Sequence, residues 1–67
     1  MPFVNIRITK ENVTSKQKAQ LIGGVTELLQ KVLNKNRANT FVIIDEVETD
    51  NWGVAGKQVS EIRNQEK

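Results

Sequence analysis

One long amphipathic segment between two short β-type segments limits how this chain can fold. Over residues 14–34 the apolar side chains recur at spacings of one, three and four, which predicts a helix with a single apolar face. The members of this face are Leu21, Ile22, Val25, Leu28, Leu29, Val32 and Leu33. Thr14 and Gln17 have the spacing of a capping box, which predicts the start of the helix.

A β-strand is predicted on each side of this helix. Near the amino terminus Val4, Ile6 and Ile8 alternate with polar residues, the period of a half-buried strand. Residues 39–47 are β-branched and apolar at their centre, which predicts a strand covered on both faces. The order strand, helix, strand predicts a βαβ unit with parallel strands, and glycine-rich residues 52–56 predict a short C-terminal hairpin. The predicted fold class is α+β.

The 67 residues are expected to form one domain, with a core at 1–56 and a charged C-terminal tail at 57–67. In the tail, Val59 and Ile62 lie three apart, which fits a short helical turn or a frayed end. A chain of this length buries only about 60% of its unfolded surface. It has no Cys and no His, which excludes disulfides, most metal sites and His-dependent catalytic triads. Oligomerisation is the remaining way to stabilise it, so we expect a homo-oligomer.

One helix over two strands also leaves one face of the sheet uncovered. The residues predicted on that face are Phe3, Asn5, Arg7 and Thr9, and we interpret Arg7 as an ion-pair partner of Asp45. This mixture of side chains suits a subunit interface better than a hydrophobic core. Gly23 and Gly24 interrupt the helix, either to let another backbone approach or as a tolerated weak point.

The charge and hydropathy patterns exclude several other classes of protein. The net charge of +2 is spread along the chain without a basic stripe, so no nucleic-acid partner is expected. The longest apolar run covers only residues 41–44, so no membrane-spanning segment is expected. No signal peptide is recognisable, and a cytoplasmic location is predicted.

Pro2 is the candidate catalytic residue. Proline is small enough for the methionine before it to be removed, which would leave a secondary amine at the start of a strand. Such an amine acts as a base or acid near pH 7 only if its pKa is lowered by desolvation or by nearby cations. The candidate apolar walls are Phe3 and Trp52, and the candidate cations are Arg7, Lys10, Lys35 and Arg37. This chemistry permits proton transfer next to a carbonyl without a metal or cofactor.

Four features follow one another over residues 2–56. They are Pro2 ahead of a strand, Gln17-Lys18 with Leu21-Ile22 in the helix, the strand Val42-Ile43-Ile44-Asp45-Glu46, and Trp52-Gly53-Val54-Ala55-Gly56. In their order and spacing the chain resembles the 4-oxalocrotonate tautomerase family. The resemblance implies a βαβ subunit in a hexamer, arranged as a trimer of dimers, with Pro2 as the acid/base and Trp52 in the wall of the site.

Two departures from the family concern its substrate-binding arginines. The loop after the first strand reads Lys10-Glu11-Asn12-Val13 without an arginine, and Phe41 stands where the family has an arginine early in the second strand. Because both arginines bind substrate carboxylates in the family, a dicarboxylate substrate does not carry over. Lys10 and Arg37 are the candidate replacements, and they are assigned together with Trp52 to substrate binding.

The leading hypothesis is a cofactor-independent tautomerase that acts on a small enol or 2-oxo acid, such as a 2-hydroxy-dienoate. Its partner would be a small-molecule carboxylate substrate. Activation of water by the same amine, for hydration or dehalogenation, ranks lower because no carboxylate partner is recognisable. The alternative from another class is a non-catalytic oligomeric assembly or binding protein, which Phe41 favours.

Overall fold

Two parallel strands joined by a long helix form the main part of the chain. The computed structural model describes residues 1–65, with β1 at Phe3–Thr9, α1 at Ser15–Leu33 and β2 at Phe41–Val47. Strands β1 and β2 pair in parallel along their whole length, from Phe3 opposite Phe41 to Thr9 opposite Val47. The predicted βαβ unit is confirmed.

A side-chain cap fixes the start of α1 and a backbone cap fixes its end. The Gln17 backbone N–H donates to the Thr14 hydroxyl at 3.1 Å, and the Thr14 backbone N–H donates to the Gln17 side-chain oxygen at 2.9 Å. At the other end Asn34 adopts a left-handed conformation with φ of 54° and ends the helix. The predicted helix, 14–34, includes these two capping residues.

The predicted second strand begins two residues too early. A 3₁₀ turn at Arg37–Asn39 precedes β2, and its start is capped by the Asn36 side chain, which accepts from the Ala38 N–H at 2.9 Å. This local hydrogen bond holds residues 37–39 in a turn, so Asn39 does not join the strand. A second 3₁₀ turn at Thr49–Asn51 follows β2.

The C-terminal hairpin is longer than the segment predicted at 52–56. Its strands are β3, Gly53–Val54, and β4, Lys57–Gln58, which pair antiparallel. The connecting residues Ala55 and Gly56 have φ of 53° and 81°, as a type I′ turn requires. The second hairpin strand therefore lies in the segment assigned to the tail, and a short helix α2, Val59–Gln65, follows it. Residues 66–67 of the predicted tail lie outside the described residues.

The side chains of the sheet divide between two faces as predicted. Val4, Ile6 and Ile8 are half-buried on the face towards α1, whereas Phe3, Asn5 and Arg7 are exposed on the opposite face. The predicted coverage of both faces of β2 is not reached in a single chain. On the open face Phe41 is 50% exposed and Ile43 is 47% exposed.

A single chain has no enclosed core. Among the described residues none is fully buried, and the chain exposes 5229 Å². A compact monomer of 7.6 kDa exposes about 4,300 Å². The radius of gyration is 15.5 Å, whereas a compact chain of this length has about 11 Å. The single chain is therefore more extended than a compact monomer and leaves apolar side chains exposed. Neither described helix combines the length and the apolar character needed to cross a bilayer.

Candidate functional site

Pro2 lies directly before β1, at the end of the sheet where both parallel strands begin. We call this end the amino-terminal edge of the sheet. The Pro2 carbonyl oxygen accepts a hydrogen bond from the Phe41 N–H at 3.0 Å, so the start of β2 fixes its position. Met1 is 84% exposed. Removal of Met1 would therefore leave the Pro2 nitrogen at an accessible strand end.

Arg37 lies at the same edge as Pro2. Its carbonyl oxygen accepts from the Thr40 N–H at 3.2 Å, and the next residue, Phe41, is the one bonded to Pro2. Within residues 1–65, no carboxylate forms an ion pair with the Arg37 guanidinium. Its positive charge is therefore available to a ligand that approaches this edge.

Lys10 and Trp52 lie at the opposite edge of the sheet. The Lys10 N–H donates to the Val47 carbonyl at the end of β2 at 2.8 Å, and Trp52 follows the 3₁₀ turn after β2. Since a strand rises about 3.3 Å per residue, Lys10 and Pro2 are about 25 Å apart. Within one chain, Pro2 and Arg37 therefore lie at one end of the sheet, and Lys10 and Trp52 lie at the other end. A single chain does not bring the four residues together.

The Lys10 ammonium already has an anionic partner. It lies 3.1 Å from the Glu48 carboxylate, and both side chains are more than half exposed. A substrate carboxylate would have to compete with Glu48 for this cation. Lys10 and Glu48 are 38 residues apart in the sequence, so the sequence did not indicate this ion pair.

An open cavity of ≈ 490 Å³ lies beside Trp52. It is lined by Arg7, Asp45, Glu46, Val47, Asn51, Trp52 and Gly53. The predicted pair of Arg7 and Asp45 is present within one chain, with 3.6 Å between guanidinium and carboxylate. The Asn5 amide donates to the same carboxylate at 2.8 Å, a role that the sequence analysis did not assign to it. The Lys18 ammonium forms an ion pair with Glu46.

Helix α2 holds the loop after β1, an arrangement that the sequence analysis missed. Arg63 forms an ion pair with Glu11 in that loop. The Ser60 hydroxyl donates a short hydrogen bond to the Asp50 carboxylate, and the Val59 N–H donates to the Trp52 carbonyl at 2.8 Å. These contacts position the segment that carries Trp52. No short motif in the sequence indicates these contacts, and Glu11 and Arg63 are far apart along the chain.

Metal-binding side chains are sparse in this part of the molecule. No three Asp or Glu residues between positions 1 and 65 come together in a way that could hold a metal ion, and the chain has no Cys or His.

Comparison with known proteins gives consistent matches over nearly the whole chain. The sequence model of a family described as "Tautomerase enzyme" matches residues 2–62. The chain is 68% identical over 65 residues to "Probable tautomerase K2" of Dickeya dadantii, with 97% of each chain covered. It is 32% identical over 62 residues to "2-hydroxymuconate tautomerase" of Bacillus subtilis, covering 92% of this chain and 98% of the relative.

Among solved structures, the crystal structure of DmpI from Helicobacter pylori superposes with a TM-score of 0.87 at 51% sequence identity. The match covers 94% of this chain and 97% of the other. The overall fold is therefore shared with that protein.

Proposed function

The chain belongs to the tautomerase family of isomerases, as its resemblance implied, and on that premise we propose that it is a cofactor-independent tautomerase of small enol or 2-oxo acids. Pro2, freed of Met1, is the general acid/base. The observation that carries this proposal is the position of Pro2 at an accessible strand end, on the same edge as Arg37, which has no ion-pair partner within residues 1–65. A base and a carboxylate-binding cation then face one substrate.

The proposed reaction moves one proton within the substrate. The neutral Pro2 amine accepts a proton from the enol hydroxyl, or from a carbon next to the carbonyl, and the resulting ammonium returns it to another carbon. No electron is gained or lost, so substrate and product are isomers. Arg37 binds the carboxylate and also favours the neutral amine, because a nearby positive charge lowers the pKa of an amine. We expect kcat/KM to fall as the pH drops below that pKa, since the protonated amine has no lone pair.

The proposed site is completed by a second subunit. We assign to Trp52 the role of screening the reacting atoms from water. Trp52 lies at the opposite edge of the sheet from Pro2 of its own chain. A neighbouring copy that presents its Trp52 edge to the Pro2 edge of the first brings the two residues together. Lys10 of the neighbouring copy would reach the substrate in the same way.

The assembly proposed is a hexamer built as a trimer of dimers. The exposed surface exceeds that of a compact monomer by about 900 Å², close to what one partner contributes to a standard interface. The open sheet face supplies apolar side chains for such a contact, among them Phe3, Phe41 and Ile43. Light scattering of the purified protein tests this point, and a mass of six chains is expected. The predicted cytoplasmic location remains a prediction.

Mass spectrometry and one variant test the proposed function. The intact mass of the purified protein should lack Met1. Pro2→Ala should lower kcat/KM for the ketonisation of phenylenolpyruvate by about 10²-fold, because positioned acid/base groups contribute 10²–10⁴-fold. The oligomer mass should be unchanged, which serves as the control for folding. Activity that is unchanged in Pro2→Ala would contradict the role of Pro2 as the acid/base. Activity that is absent from a wild type lacking Met1 supports the non-catalytic assembly instead.

A further inference from the structure

The ion pair of Lys10 and Glu48 is not used by the mechanism described above. The Lys10 ammonium lies 3.1 Å from the Glu48 carboxylate, and the Lys10 N–H donates to the Val47 carbonyl at 2.8 Å. The backbone hydrogen bond therefore holds the start of the loop after β1 against the end of β2, next to Glu48. The ion pair lies at the same edge of the sheet as Trp52.

The Glu48 side chain does not cap the turn that follows it. Glu48 occupies the N-cap position of the 3₁₀ turn Thr49–Asn51, where a side-chain oxygen often accepts from a backbone N–H. Its carboxylate makes no such bond, and its backbone carbonyl accepts from the Asn51 N–H at 2.8 Å instead. The carboxylate is directed to Lys10. Substitution of the Glu48 side chain should therefore leave the turn intact.

Ion pairing distinguishes Lys10 from the cation at the amino-terminal edge. Within residues 1–65, the Arg37 guanidinium has no carboxylate partner. The charges of the loop after β1 cancel in two pairs, Lys10 with Glu48 and Glu11 with Arg63. A ligand that contacts both edges therefore meets a guanidinium group at one and neutral ion pairs at the other.

This pairing makes Lys10 a poor binder of a second substrate carboxylate. Glu48 is connected to Lys10 through the chain, so it competes with a free carboxylate at a high effective concentration. A substrate carboxylate placed beside the pair would also lie next to the Glu48 carboxylate, and like charges repel. An uncharged substrate group avoids this repulsion, because a hydroxyl or carbonyl oxygen can accept from the ammonium while Glu48 stays paired.

Resting on the proposed function, we propose that Glu48 is a specificity-determining residue that acts through Lys10. By neutralising the ammonium it restricts the substrates to enol acids with a single carboxylate, which binds Arg37, and with an uncharged group at the other end. In the proposed assembly the ion pair comes from the neighbouring copy, as Trp52 does. Removal of the Glu48 charge should convert Lys10 into a binding group for a second carboxylate.

Two enol acids that differ by one carboxylate test this inference. They are 2-hydroxymuconate, a dicarboxylate, and 2-hydroxypentadienoate, which lacks the second carboxylate. Wild type should have the lower KM for the monocarboxylate. Glu48→Gln should lower KM for the dicarboxylate by about fivefold or more, because that substrate gains a charge-assisted hydrogen bond. The kcat of this variant, and its KM for the monocarboxylate, should stay within about twofold of wild type.

Two further variants are the controls. Glu27 forms a similarly exposed ion pair with Lys31 at 3.2 Å, so Glu27→Gln changes the net charge equally at another place. It should leave the ratio of the two KM values within about twofold of wild type. The double variant Glu48→Gln/Lys10→Gln should restore the wild-type ratio, which a purely structural effect of Glu48 would not do.

The outcomes separate this inference from the proposed function. An unchanged KM ratio in Glu48→Gln, a shift of equal size in Glu27→Gln, or a shift that the double variant does not reverse overturns the inference. A wild type with the lower KM for the dicarboxylate also overturns it. If Pro2→Ala still lowers the activity on both acids in any of these cases, the proposed function stands without the inference.

Discussion

The Arg7 guanidinium lies 3.6 Å from the Asp45 carboxylate across the two parallel strands, on the sheet face that α1 leaves open. The Asn5 amide donates to the same carboxylate at 2.8 Å. In a single chain the Arg7 and Asp45 side chains are 65% and 44% exposed, and ion pairs at such exposure contribute about 0–1 kcal/mol. The contribution of this ion pair to the free energy of unfolding therefore indicates whether an assembly covers this face.

Removal of one partner of this pair should destabilise the assembled protein strongly. Arg7→Met leaves the Asp45 carboxylate without its cation, and we expect a loss of about 3–5 kcal/mol of unfolding free energy if the face is covered. The double variant Arg7→Met/Asp45→Leu should recover most of this loss, because an apolar pair replaces the buried charges. Urea unfolding at a fixed subunit concentration measures both. A loss below about 1 kcal/mol in Arg7→Met would mean that water reaches this face in the assembly.

Mixed oligomers should recover activity from two defective chains. Pro2→Ala chains and Trp52→Ala chains are unfolded together in equal amounts and refolded. If each site takes Pro2 from one subunit and Trp52 from another, roughly a quarter of the sites in a random assembly carry both native residues. Activity of the mixture should then exceed that of either variant refolded alone. A site contained within one chain would give no recovery.

Arg37 should matter more than Lys10 for substrate binding. Arg37 forms no ion pair with any carboxylate of residues 1–65, whereas the Lys10 ammonium is already paired with Glu48 at 3.1 Å. Arg37→Gln should raise KM by about tenfold or more, the loss of one charge-assisted hydrogen bond. Lys10→Gln should change KM by less than about threefold, as expected for an exposed pair. Lys35→Gln, in the same connection as Arg37, is the matched control, and a larger effect of Lys10→Gln would contradict the ranking.

The turn of the C-terminal hairpin should be improved by a single substitution. Ala55 has φ of 53°, a left-handed conformation that is unfavourable for residues with a Cβ other than Asn and Asp. Ala55→Asn should therefore stabilise the protein by about 0.5–1 kcal/mol. Gly56→Ala, at φ of 81°, is the opposite change and should destabilise it by about 1 kcal/mol. Thermal unfolding at matched concentrations measures both, and a destabilised Ala55→Asn protein would contradict this account.

The local elements were predictable because their signals are local. The capping box of Thr14 and Gln17 and the alternation of Val4, Ile6 and Ile8 depend on neighbours in sequence, so they survive in the structure nearly unchanged. The early end predicted for the hairpin had a different cause. The predicted segment ended at the second turn residue, Gly56, because Lys57 and Gln58 lack the β-branched or aromatic side chains that indicate a strand.

The candidate site was only partly predictable, because its members are joined by the sheet rather than by a motif. That Pro2 and Arg37 share an edge follows from the parallel register of β1 and β2. The pairing of Lys10 with Glu48 and of Glu11 with Arg63 depends on how the loops and α2 close over the end of the sheet. Side-chain pairs of this kind have no fixed spacing and leave no pattern in a single sequence.

The absence of an enclosed core among the described residues has a consequence for how the protein is made. A newly synthesised subunit can form α1 early, because its caps are local, but in the proposed assembly it buries its exposed apolar side chains only on meeting other copies. Folding then becomes a reaction of second or higher order, and its yield rises with the rate of synthesis. Lone subunits, with their apolar faces in water, are the form that proteases and chaperones encounter.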